Sequence, residues 1–441
     1  MVSQEPAWHE RDERITDPRR VVVVLALLGF VAINLRSVLL AVPPILPQVQ
    51  HDLGLSYTAV GLLTSLPTLV MGGLALPSGL IAGRLGARRA VAVGLLLLAC
   101  GALLRAIWPA ALPLYLFTFI LSVGVALGQT AVPVLIRQWF PTRIGFVAAL
   151  YTDGLILGEA LAAALTGSLV LGALGANAWA GTFAVWSLPV FVALALWLWL
   201  APPAAATTTR QPRPPSANVA TAAATPSAPA TLRRASAWHL GLIMGGASLI
   251  FFGMNTWIPS YNKAFGNTAM TPLALGVLNA TQLPVGLLVT AFAQRLAGRR
   301  WPFVFAGSVC VLAIAGMLAT PVGLQPLWVA LLGGGSAIVF VLGIALPPLL
   351  ASRENVARLT GATLSVGYST AFVGPFIGGA LWDLSHIPQL AFAPVAVAGL
   401  AMIVLGSLLP KPGRAQLTQQ STGPGDIAPE LPFSNATPLA E

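Results

Sequence analysis

Twelve apolar runs, each about as long as a bilayer is thick and separated by short polar breaks, leave this chain one class of fold. About 20 apolar residues in a helix cross the hydrocarbon core, and lipid-exposed irregular backbone is excluded because its polar groups would go unpaired. The runs predict spans at about 21–46, 59–82, 90–107, 112–136, 146–170 and 180–201, then 237–259, 272–293, 302–320, 326–350, 360–382 and 388–410. Charged residues make up only 8% of the 441, against roughly 25% in soluble domains, so a water-facing globule is excluded. Some twenty polar residues, five of them acids, precede the first run, and that run is too long for a signal-peptide core. It is expected to be kept as a span.

The basic residues orient the bundle. Of the 23 lysines and arginines, 20 fall in the N-terminal tail, the alternate loops on that side, the central linker or the C-terminal tail. Lys263 alone lies in a loop of the opposite side, and Arg36 and Arg105 lie within spans. The positive-inside rule then puts both termini in the cytoplasm, and one miscounted helix would scramble the pattern. The net charge of +10 is a topology signal, so no nucleic-acid partner is expected. Residues 1–20 read as a cytoplasmic tail, 21–201 as a six-helix bundle, 202–236 as a linker, 237–410 as a second six-helix bundle and 411–441 as a tail. The linker is rich in Ala, Pro and Thr and holds four arginines and no acid, so it cannot bury apolar surface and is expected to be disordered.

The two halves resemble each other. Arg84-Leu-Gly-Ala-Arg-Arg89 follows the second span as Arg295-Leu-Ala-Gly-Arg-Arg300 follows the eighth, and Gly61-Leu-Leu-Thr64 is matched by Gly276-Val-Leu-Asn279. Duplicated halves in the same orientation place a solute site between them near the midplane. The expected fold is an all-α polytopic membrane protein, a major facilitator fold of 12 transmembrane helices in two six-helix halves.

Several motifs sharpen this reading: Asn34-Leu-Arg36 in the first span, Leu62-Leu-Thr-Ser-Leu-Pro67 with Met71-Gly-Gly-Leu-Ala75 in the second, and Gly101-Ala-Leu-Leu-Arg105 with Trp108-Pro109 in and after the third. Trp257-Ile-Pro259 and Gly367-Tyr368 with Gly374-Pro375 complete the set. Together they resemble the cyanate permease / 2-nitroimidazole transporter family of the major facilitator superfamily over nearly all of residues 21–410. The resemblance implies a secondary transporter of small solutes in a bacterial inner membrane, expected here to work as a monomer without a cofactor. Two departures stand out: Ser37 follows Arg36 where the family commonly has proline, and Gly83 stands where the superfamily's loop usually carries an acid.

Charge inside a span is expensive, at about 2.5–3.5 kcal/mol for an arginine near a helix centre, and marks function by default. Arg36 therefore reads as a cation in the transport path, recognising a small organic anion. Glu159, near midspan in the fifth helix, and Asp153, nearer its cytoplasmic end, are the proton-coupling candidates, Glu159 being also a possible structural partner of Arg36. Gly154 and Gly158 are four residues apart and make a small-residue face for close helix packing. Asn34, Gln129, Asn255, Trp257, Asn279, Gln282 and Tyr368 are the uncharged candidates for lining the site, each with a helix-to-helix hydrogen bond as its alternative role. Trp257 could equally belong to an interfacial aromatic belt. Arg105, near the external end of its span, is expected to snorkel to the interface.

Other classes fit less well. The four histidines, His9, His51, His239 and His386, lie in tails or near span ends, and neither a nucleophile–base pair nor a metal-ligand spacing is visible, so no metal, cofactor or enzyme chemistry is expected. A receptor would need a signalling domain the sequence does not contain. Export of a neutral, nitroimidazole-like compound remains the alternative to anion transport. In a cysteine-free background, a cysteine at Lys263 is expected to react with an impermeant thiol reagent in whole cells and one at Ala220 to stay protected; labelling at Ala220 alone would reverse the orientation.

Overall fold

A computed structural model describes residues 17–175, 178–203, 230–296, 299–350 and 356–409 of the chain. Twelve helices among them are long and apolar enough to cross a membrane. In the first half these are α1 (Pro18–Leu40), α2 (Tyr57–Leu85), α3 (Ala87–Ile107), α4 (Ala111–Trp139), α5 (Ile144–Leu165) and α6 (Trp179–Leu200). In the second they are α7 (Ala230–Ala264), α8 (Thr271–Ala280 and Gln282–Ala291), α9 (Trp301–Ala319), α10 (Gln325–Leu350), α11 (Val356–Ser385) and α12 (Ala393–Ser407). Most of the N-terminal tail, most of the linker and the tail at 411–441 lie outside the described residues.

Local chemistry sets where the helices begin and break. Asp17 caps α1 by accepting from the Arg19 amide at 3.0 Å, with Pro18 pre-set at the first helical position. The first span, expected as one helix at 21–46, stops at Leu40, and a 3₁₀ turn (Pro43–Ile45) follows because two successive prolines lack the amide that would continue the ladder. A short helix (Leu46–Leu53) then ends at Gly54, whose φ of 61° suits a glycine. The eighth span is in two pieces meeting at Thr281, since Pro284 cannot donate to the Ala280 carbonyl. α7 starts at Ala230, inside the stretch expected to be linker, where Ala, Leu and Arg favour helix.

The halves meet along two seams, α2 against α11 and α5 against α8, while α1 packs on α5, α3 on α4, α7 on α11 and α9 on α12. One apolar core lies mostly in the first half and is joined by Phe251, Phe252 and Tyr368, and the other centres on the second half and takes in first-half side chains such as Ile45, Val60, Leu63 and Phe183. Leu112, Trp199 and Leu384 point outward and are largely exposed, a surface suited to lipid and not to water.

One of the close helix contacts is that of α5 with α1. A Cβ on Gly158 would collide with the Ile33 carbonyl, and one on Gly154 with the Ala32 side chain. The expected small-residue face is therefore real, and it lets the two backbones approach closely. Gly158→Leu is expected to force α5 off α1 and cost about 1–3 kcal/mol, seen as a lower melting temperature of the purified protein. Gly73→Ala, at a position with open space around it, should leave the melting temperature unchanged; an unchanged value for Gly158→Leu would contradict this packing.

Candidate functional site

Close packing of α5 on α1 brings Glu159 to Arg36. The carboxylate Oε1 lies 3.2 Å from Arg36 Nη1, and the two side chains are only 7% and 6% exposed. Arg36 was expected as a cation awaiting an anion; in this state it is paired, the alternative the sequence left open. From the other half, the Tyr368 hydroxyl on α11 accepts from Arg36 Nη2 at 3.3 Å and from Gln129 Nε2 on α4 at 3.2 Å. Four helices from both halves thus converge on one guanidinium. With two bonds accepted, the Tyr368 hydroxyl keeps its own proton to donate. Arg36 Nε, Gln129 Oε1 and the Tyr151 hydroxyl are buried without partners.

Arg36, Glu159, Gln129 and Tyr368 are therefore the predicted residues that come together. Asn255 and Asn279 form a separate pair, Asn279 Nδ2 donating to Asn255 Oδ1 at 2.9 Å and thereby tying α8 to α7. Asn34 donates to the Phe30 carbonyl of its own helix at 2.8 Å and leaves its Oδ1 unpartnered. Gln282 is buried with a free Nε2 and does not join the cluster, and Asp153 is half-buried and apart from it. Trp257 is fully buried, its ring 5.8 Å from Trp382 and 6.4 Å from Tyr57. It belongs to a packed aromatic group and not to an interfacial belt.

Arg105 overturns its expectation. It is 1% exposed, and its guanidinium sits 4.3 Å from the centroid of the Phe183 ring on α6. Its depth along α3 was read correctly, but its side chain turns into the bundle because α6 offers an aromatic face there and α1 the Val38 carbonyl, 3.5 Å from its Nη2.

Sequence reasoning missed the contacts that close one end of the bundle. Asp383, at the end of α11, accepts from the backbone amides of Tyr57 at 2.9 Å and Thr58 at 2.7 Å. These are first-turn amides of α2 with no partner inside their helix, and the carboxylate also meets the positive end of the helix dipole. Ser56 caps the same helix through the Ala59 amide at 3.1 Å. Lys263 donates to the Pro47 carbonyl at 3.0 Å, and the Tyr57 and Trp382 rings stack at 4.0 Å. Also missed was the reciprocal amide pair of Asn262 on α7 and Gln325 on α10, at 3.1 and 2.9 Å. An acid at a span end or an amide inside a span is visible in sequence; its partner in another helix is not.

A twelve-helix bundle with a polar cluster shared between two similar halves defines a membrane transporter. The model of the Major Facilitator Superfamily matches residues 25–375, and the chain belongs to that family. Among its relatives is the cyanate transport protein CynX of Escherichia coli (strain K12), 29% identical over 388 residues that cover 87% of this chain and 96% of the relative. The 2-nitroimidazole transporter of the same strain is 28% identical over 394 residues, covering 89% and 96%. The fold also matches solved structures at low identity. A bacterial homologue of the human lysosomal transporter Spinster, inward-facing and occupied, has a TM-score of 0.67 at 14% identity over 96% of this chain and all of that one. The nucleoside transporter NupG has 0.66 at 13% identity over 88% and 98%.

Proposed function

We propose that the protein moves a small organic anion, cyanate-like in size and charge, across a bacterial inner membrane by alternating access, with both termini in the cytoplasm. The observation that carries this reading is the single guanidinium held by groups from both halves. An anion at Arg36 contacts α1 and α5 of one half and, through Tyr368, α11 of the other. Its binding energy therefore depends on how the halves are disposed, as alternating access requires. Arg36 Nε, the Tyr368 hydroxyl and the Tyr151 hydroxyl are among the donors left to give.

The pair with Glu159 supplies a coupling rule. Glu159 and a substrate anion compete for one cation, and two anions against one guanidinium in a dry site are strongly disfavoured. Protonating Glu159 releases Arg36, so a proton and an anion enter together and leave together. The contacts of Asp383 and Lys263 support a reading in which the external end is shut while the site is served from the cytoplasmic side. The similarity to the cyanate transport protein supports an anionic solute; the similarity to the 2-nitroimidazole transporter supports a second reading, export of a neutral ring compound that leaves the ion pair intact.

Arg36→Lys, which loses the planar two-donor fork, is expected to weaken anion binding by about 1.5–3 kcal/mol, or roughly ten- to a hundredfold. Arg36→Ala should weaken it further, and a neutral solute of the same size should be far less affected. Glu159→Gln should abolish uphill uptake into proteoliposomes yet spare exchange down the solute's own gradient, because exchange proceeds with the carrier permanently neutral. Equal losses for anionic and neutral solutes at normal protein levels would make Arg36 a structural residue; unchanged uphill uptake in Glu159→Gln would exclude coupling through it.

A further inference from the structure

A second arginine is buried in this bundle, and among the described residues no carboxylate pairs with it. Arg105 has an aromatic ring on one side and a single hydrogen bond, to Val38, stretched to 3.5 Å; its Nε has no partner. Fully desolvated charge is tolerated only when paired or well hydrogen-bonded, and a ring face with one long bond falls short of that. Arg36, by contrast, has both an acid and a hydroxyl.

What Arg105 faces is a cavity of about 20 Å³, room for a water-sized group, which needs about 10–15 Å³. Its other polar walls are Thr118, Asn255, Thr64 and Thr256. Asn255 accepts from Asn279, and the Thr64 and Thr256 hydroxyls bond to each other and to carbonyls of their own helices. The Thr118 hydroxyl is buried without any partner. Arg105 and Thr118, each carrying an unpartnered polar atom (Nε and Oγ1), therefore line one small space whose remaining lining includes Leu40, Leu63 and Phe252. The cavity also touches Leu39 and Pro43 of the first span, so it lies roughly one to two helical turns beyond Arg36 on the way to the end closed by Asp383.

We propose that Arg105 and Thr118 form a second anion station, sized for a small monovalent anion and distinct from the Arg36 site. The station stands on its own geometry; its use as a staging post for the transported solute rests on the anion reading above. A positive group at this point lowers the energy of an anion leaving Arg36 toward the closed end, and the cavity's size limits the ion to about that of a halide while that end is shut.

Chloride-35 line broadening of the full-length protein in detergent, in mildly acidic buffer, tests the station directly. Wild type should broaden the line, Arg105→Gln should lose on the order of half of that excess, and Arg36→Gln should retain the Arg105 share. The double variant should lose all of it. Narrowing by added cyanate in Arg36→Gln would assign the station to the transported class of ion; broadening that cyanate leaves untouched would assign it to a resident halide. No change in Arg36→Gln alongside a loss in Arg105→Gln would uphold the station and sink the Arg36 reading. Broadening in a folded Arg105→Gln equal to wild type overturns the proposal. If Arg105→Gln fails to fold, Thr118→Val decides: a chloride affinity weakened by about two- to tenfold supports the station, and an unchanged affinity overturns it.

Discussion

Everything in this bundle is arranged around one ion pair that hydrocarbon would not tolerate alone. Arg36 and Glu159 meet at 3.2 Å behind twelve apolar helices, and removing either partner from such a pair leaves the other costing about 3–5 kcal/mol. The pair exists because α5 carries glycines where it touches α1, so that an ordinary glutamate side chain spans the gap. Tyr368 and Gln129 then extend it across the boundary between the halves. The pair is costly to break outright, yet it can be rearranged without loss if a proton and an anion arrive together. In the proposed mechanism this structural liability becomes a coupling device.

One end of the seam between the halves is closed by polar and aromatic contacts. There a carboxylate from α11 takes the place of missing intrahelical partners at the start of α2, an aromatic group fills the space beside it, and Lys263 reaches a backbone carbonyl of the first half. Each of these is a hydrogen bond or a stacking contact made across the seam beside the buried Trp257. A seal made of a few charge-assisted bonds at a helix start can open at modest cost, which suits a gate.

Much of the fold was legible in the sequence, because hydrocarbon imposes the same requirement of length and apolarity on every span. The breaks inside spans were less so. Pro43 and Pro44 ended a helix within a run that reads as continuous, and α7 begins within what composition marks as linker. Of the site, depth could be read and direction could not. Arg36 and Glu159 stood out because charge at midspan is rare. Arg105 was placed at the correct level of α3 and then sent the wrong way, since sequence gives no sign of the Phe183 face waiting on α6. Asp383 went unnoticed because its partners lie more than 300 residues away, with a separation of 325 to Thr58. Trp257, chosen as a lining residue, packs with Tyr57 and Trp382 instead.

The central claim is that Arg36 exchanges Glu159 for a substrate anion and that the displaced carboxylate takes a proton. Proton uptake on anion binding measures this without a membrane, a gradient or a transport direction. Purified protein in weakly buffered detergent solution at neutral pH, titrated with cyanate or another small anion that it binds, should take up about one proton per anion bound. Glu159→Gln should bind the same anion with no proton uptake. Saturable binding to the wild-type protein with no change in bound protons would contradict the exchange and leave the ion pair a purely structural feature of the bundle.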